Sequence, residues 1–148
     1  MSRRRKMNEN AHIIIDGTVV GDDESRITAK AKGHYQKLDD VHVLRYFEQA
    51  DSGEGPGLRD TASTIRIAPG LVEMIKRGED STHMVFDLSC PTQSVYDTPY
   101  GSLYFQIKTQ RIDISEGTDR VAVHLEYSLF HDESHISDNR VDITIDKI

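Results

Sequence analysis

The residues best suited to chemistry in this chain of 148 sit near the end of its third apolar segment. Tyr46 and Glu48 follow Leu44 at every second position, so in a strand the three share one face. If that face is interior, Glu48 brings a carboxylate into or beside the core, where an unpaired charge is costly. Arg77 is the natural partner and Arg66 a second. The pair then closes the mouth of a cavity, anchors the polar end of a ligand, or does acid/base work. Tyr100 stands in Tyr96-Asp97-Thr98-Pro99-Tyr100-Gly101, read either as a rigid lead-in to the next strand or as an aromatic rim at an opening. Phe105 and Tyr127, on later apolar faces, either fill an interior or line a pocket.

Other candidates carry less. The chain has seven histidines, and His131 and His135 stand four apart with Asp132 and Glu133 between them. That spacing aligns two rings on a helix but not in the loop expected here, and no HExxH or Cys/His pattern exists, so no metal or other cofactor is expected. Cys90 is the only cysteine; it is read as an inert thiol, forms no internal disulfide and favours a reducing compartment. Asp51-Ser52-Gly53-Glu54-Gly55-Pro56-Gly57 lacks the Lys and Ser/Thr of a phosphate-binding loop and reads as a structural loop. No nucleophile-elbow pattern occurs, so no catalytic residue is assigned.

The elements that must position these residues read as strands. Leu103, Phe105 and Ile107 alternate with polar residues, as do Val121, Val123, Leu125, Tyr127 and Leu129, and then Val141, Ile143 and Ile145. Period-two alternation builds a sheet with one dry face. Earlier strands are expected at about 11–20, around Ile27–Ala31, at Val41–Glu48 (apolar on both faces through Val43 and Phe47, Leu44 and Tyr46), at Thr61–Ile67 and Leu71–Arg77, and around Met84–Leu88. A loose corner is expected at Pro69-Gly70, because a type II turn does not match the twist of a two-residue hairpin. Pro91–Asp97 reads as an irregular connection, and 115–118 and 131–139 as loops.

About nine strands in one domain suit a β-sandwich or a barrel. Several run about 10–14 residues, and long strands leave edges that closure removes, which favours the barrel. Ala29, Ala31 and Gly33 share a face with Ile27 and Tyr35, leaving volume that is either filled from other strands or open as a pocket. The expected fold is a single antiparallel up-and-down β-barrel of about eight to nine strands over 11–148, preceded by a disordered basic arm over 1–10 that contains Arg3-Arg4-Arg5-Lys6.

A net charge of −7 argues against nucleic-acid and anionic-membrane partners. No apolar run follows the basic arm, so no secretory signal is read. A small apolar or amphiphilic molecule and a protein remain as partners.

The ordered series Gly33-His34-Tyr35, Leu44-Arg45-Tyr46-Phe47-Glu48, Thr64-Ile65, Met74-Ile75-Lys76-Arg77-Gly78, Met84, Phe86, Thr98-Pro99-Tyr100-Gly101, Lys108-Thr109 and Ser137-Asp138-Asn139 resembles the YwiB-like family of small bacterial proteins of unknown function. The resemblance covers about 11–147. It implies a closed barrel of calycin (lipocalin-like) type and a bacterial cytoplasmic setting, and brings no catalytic mechanism. Together these readings favour non-catalytic binding of a small, partly apolar ligand, with a protein-interaction module built on a filled barrel second and an enzyme third.

Overall fold

The computed structural model describes residues 9–49, 60–78 and 80–148, which form ten strands. These are β1 (Glu9–Val19), β2 (Asp22–Leu38), β3 (Val41–Gln49), β4 (Asp60–Ala68), β5 (Leu71–Arg77), β6 (Ser81–Asp87), β7 (Thr92–Thr98), β8 (Gly101–Glu116), β9 (Arg120–His131) and β10 (Ser134–Lys147). Each pairs antiparallel with its neighbours in sequence, and β1 pairs with β10 to close the barrel. The expected all-β up-and-down barrel is the observed one. The basic run and the glycine-rich loop lie outside the described residues.

The extra strand is β7. The segment expected to be irregular pairs Thr92–Thr98 with Gly101–Ile107, and its polar Gln93, Ser94 and Asp97 hide the alternation. Three turns also differ from expectation. Pro69-Gly70 is a tight hairpin between paired Ala68 and Leu71, with Gly70 at φ 73° supplying the left-handed residue a type II turn requires. Thr98 and Gly101 pair, which makes Pro99-Tyr100 the tip of a hairpin rather than a strand entry. The Thr98 hydroxyl accepts from the Tyr100 N–H and donates to the Gly101 carbonyl. The expected 131–139 loop is mostly strand, because Asp132 and Glu133 take φ of 51° and 68° and make a two-residue turn. Two left-handed residues give the primed geometry that matches strand twist, here without the glycine that usually signals it.

Up-and-down order gives the barrel two distinct ends. The terminal end carries the turns at 39–40, 69–70, 88–91 and 117–119, with the start of β1 beside the end of β10. The distal end carries the turns at 20–21, 99–100 and 132–133, together with the end of β5 and the start of β6.

Inside, alternate residues meet. Ile13, Leu44, Ile65, Ile67, Val72, Phe86, Ile107, Leu125, Ile143 and Ile145 are sealed from solvent. Each such side chain contributes about 1.5–3 kcal/mol by leaving water. Of the two apolar faces of β3, the inner one buries Leu44 and Tyr46, and the outer one buries Val43 but leaves Phe47 67% exposed.

Two seams are incomplete. β2 pairs with β3 only from Gly33 to Leu38, leaving its first half paired with β1 alone. β6 pairs with β7 over Ser81–His83 only, and beyond that the Thr92 hydroxyl donates across to the Val85 carbonyl.

Candidate functional site

The distal half of the barrel holds a cavity of about 430 Å³. Its presence follows from side-chain size. Gly17 on β1 and Ala29 on β2 present little volume where the other half has Ile13 and Tyr35. The floor and walls are Ile15, Ile65, Met74, Met84, Phe86 and Val141. Tyr127 stands edge-on to Phe86 with ring centroids 4.8 Å apart. Beside the cavity β2 and β3 have separated, and a groove on the outside of β2–β4 shares Tyr46, Ser63 and Thr64 with it. Gly33 is where the two strands last pair. A methyl group there would overlap the Arg45 carbonyl oxygen and stand 2.7 Å from Tyr46 Cβ.

The cavity is apolar with a polar row. Register places Tyr46 opposite Ser63, Ser63 opposite Lys76, and Lys76 opposite Thr82. All four line the cavity. Opposite residues of an antiparallel pair share a face. Ser63 is 3% exposed and its hydroxyl has no hydrogen-bond partner among the described residues. Ser94 and Thr109 have unpartnered buried hydroxyls too, but neither lines the cavity. Burial raises the pKa of Tyr127, so its phenol stays protonated and able to donate.

The terminal mouth is built in the opposite way. His42 is buried on the inner face of β3, its Nδ1 2.6 Å from the Tyr35 hydroxyl and its Nε2 2.5 Å from Glu116 Oε2 on β8. An ionised carboxylate only accepts, so Nε2 carries the proton there, and in the neutral ring Nδ1 accepts from Tyr35. The bond from His42 is the main cause that holds the Glu116 carboxyl below its usual range, against some desolvation. Lys37 Nζ lies 3.5 Å from the other Glu116 oxygen, and Lys147 sits over the Tyr35 ring. Lys37, His42 and Glu116 border an open cleft of about 550 Å³. Both ring nitrogens of His42 are engaged and Tyr35 is 3% exposed, so the buried polar groups of the cluster satisfy one another.

Of the residues singled out by sequence, Tyr46 and Tyr127 meet in the distal cavity. Arg77 is exposed and borders a separate rim pocket with Lys76 and Asp97. Arg66, the second partner considered for Glu48, pairs with Glu73 at 3.5 Å instead. The side chain of Glu48 lies outside the described residues. Tyr100 is 98% exposed at its hairpin tip, and Phe105 is half-buried against His131 at 5.5 Å; neither lines the cavity. His131 Nδ1 bonds the Tyr104 carbonyl and His135 Nε2 the Asp138 carboxylate, and among the described residues no three acidic, His or Cys side chains converge as metal ligands. Cys90 is exposed, its thiol donating to Asp87.

Sequence reasoning passed over Ser63, Lys76, His42 and Glu116. Each continues an apolar alternation by one step: Ser63 before Ile65 and Ile67, Lys76 after Val72 and Met74, His42 before Leu44 and Tyr46, Glu116 after Ile112 and Ile114. A polar residue in phase with a dry face was the available signal.

The YwiB protein from Bacillus subtilis, known from its crystal structure, has the same fold: TM-score 0.73 over 97% of this chain and 93% of that one, at 17% sequence identity. No curated protein matches the chain. A family model described as a domain of unknown function, DUF1934, matches residues 13–143, and the chain belongs to that family.

Proposed function

We propose that the protein is a non-catalytic binding barrel of calycin type that holds a small, partly apolar molecule in the distal half of its interior. The observation that carries this reading is the cavity of about 430 Å³, within the range of small-molecule sites, walled by apolar side chains and touched by a few polar ones. Tyr46 and Tyr127 are the recognition aromatics, and the separated seam between β2 and β3 is the way in. A single cysteine fits a reducing, cytoplasmic setting.

Native mass spectrometry of protein purified gently from its own host tests the reading. Wild type is expected to carry a small molecule that Val141→Phe, which fills the cavity, does not. Bare chain in both samples overturns it.

A protein-interaction module is the second reading. It is favoured by Tyr100, Leu103 and Tyr104, which are 98%, 46% and 51% exposed on the single β7–β8 hairpin. Its test is a cross-linked partner lost in Tyr100→Ser/Tyr104→Ser.

A further inference from the structure

We propose that the occupant of the distal cavity is a short-chain apolar carboxylate, bound with its acid group against Ser63 and Lys76 and its hydrocarbon on the methionine-lined floor. The inference rests on the reading of the cavity as a ligand site.

Three features select this chemistry. The volume, roughly fourteen water volumes at ~30 Å³ each, suits a compact molecule rather than a long-chain lipid. The polarity is segregated: Ile65, Met74, Met84 and Phe86 lie on one side of the row formed by Tyr46, Ser63, Lys76 and Thr82. An amphiphile with one polar end matches such a surface, whereas a molecule polar throughout would strand hydrogen-bonding groups on the floor. The third feature is the character of the row. Ser63 is 3% exposed and its hydroxyl has no partner among the described residues, so it lacks a hydrogen bond that a ligand oxygen can supply. Its cross-strand neighbour on the same face is the cation Lys76. Lys76 has an interaction of its own within the protein, so the open bond is assigned to Ser63, with Lys76 as the cation beside it in the row. Tyr127 also lines the cavity, and burial raises its pKa, so its phenol stays protonated and can donate a second hydrogen bond. Among the described residues that line the cavity none is acidic.

Methyl NMR of the full chain with labelled methionines gives the test, because two of the four methionines, Met74 and Met84, line the cavity. Octanoate, octan-1-ol and octylamine are titrated in turn. Octanoate is expected to shift both methyl signals and to bind about tenfold more tightly than the alcohol, a difference of ~1.4 kcal/mol, with the amine weakest. Lys76→Met, an exposed position that leaves the floor intact, is expected to bring the acid and the alcohol to equal affinity. Ser63→Ala is expected to weaken octanoate while keeping it above the amine. Equal or tighter binding of octan-1-ol or octylamine by wild type overturns the carboxylate assignment and leaves the cavity as a ligand site. Unmoved methyl signals with all three probes overturn both.

Discussion

The two halves of this barrel are made from the same strands with the same alternation, yet one is solid and the other is not. Toward the terminal end β1 contributes Ala11 and Ile13, β2 contributes Tyr35, and β10 contributes Ile143 and Ile145, all at most 3% exposed. Toward the distal end the same strands supply Ile15 and Gly17, Ala29 and Ile27, and Val141, none of them sealed. The hydrogen bonds divide the same way. His42 has both nitrogens engaged, whereas Ser63 has none for its hydroxyl. Alternation decides which way a residue faces; volume and polar satisfaction decide whether the facing space closes. One half therefore holds the fold together and leaves the other free to be hollow.

The largest effect is expected from truncating the solid half. Leu125→Ala should cost about 2–5 kcal/mol in urea unfolding, while Met84→Ala, partly buried beside existing space, should cost about 1–2 kcal/mol. Equal costs would erase the distinction between the halves. Glu116→Ala leaves the buried His42 Nε2 without its acceptor, an expected loss of about 1–3 kcal/mol that should be missing in the His42→Phe background. Gly33→Ala forces β2 and β3 apart at their last rung and should cost about 1–2 kcal/mol, with faster amide exchange confined to that seam.

Filling the hollow half works in reverse. Val141→Phe should change stability by less than about 1 kcal/mol, whereas Ile143→Phe, one step further toward the solid half, should cost about 1–3 kcal/mol. The smallest effect lies on the outer wall. The pKa of His124 is raised, chiefly by its bonds to Glu126 and then Asp142. Its stabilisation is complete below its ordinary value near 6.5 and is lost as pH rises through the raised folded value. Between pH 6 and pH 8 wild type should therefore lose about 1 °C more in Tm than His124→Gln does, a small shift because the site is partly solvated.

The barrel was legible in the sequence because Val121–Leu129 and Val141–Ile145 repeat a period that only a sheet satisfies. β7 was not, since its inward Ser94 is polar and its neighbours carry no contrast. The Asp132-Glu133 turn escaped because its left-handed residues are not glycine. At the site, Tyr46 and Tyr127 were legible as large residues in phase with a dry face. Ser63 and Lys76 were not, because the polar row arises only from register across three seams. Register between strands is set by turns and bulges, such as the shift at Gly17/Val19, and those are weak signals in a single chain.

The pairing of β1 with β10 also sets the order in which this molecule can assemble. The other nine seams join strands adjacent in sequence, so each can zip as a hairpin in microseconds. The tenth must bring Ala11 to Lys147 and Asn10 to Ile148 across nearly the whole chain. Its search cost rises only as the logarithm of the loop, but nothing local rewards it in advance. The barrel is thus a curled meander that only this seam makes a cylinder, and without it Gly17 and Val141 share no wall around the hollow half.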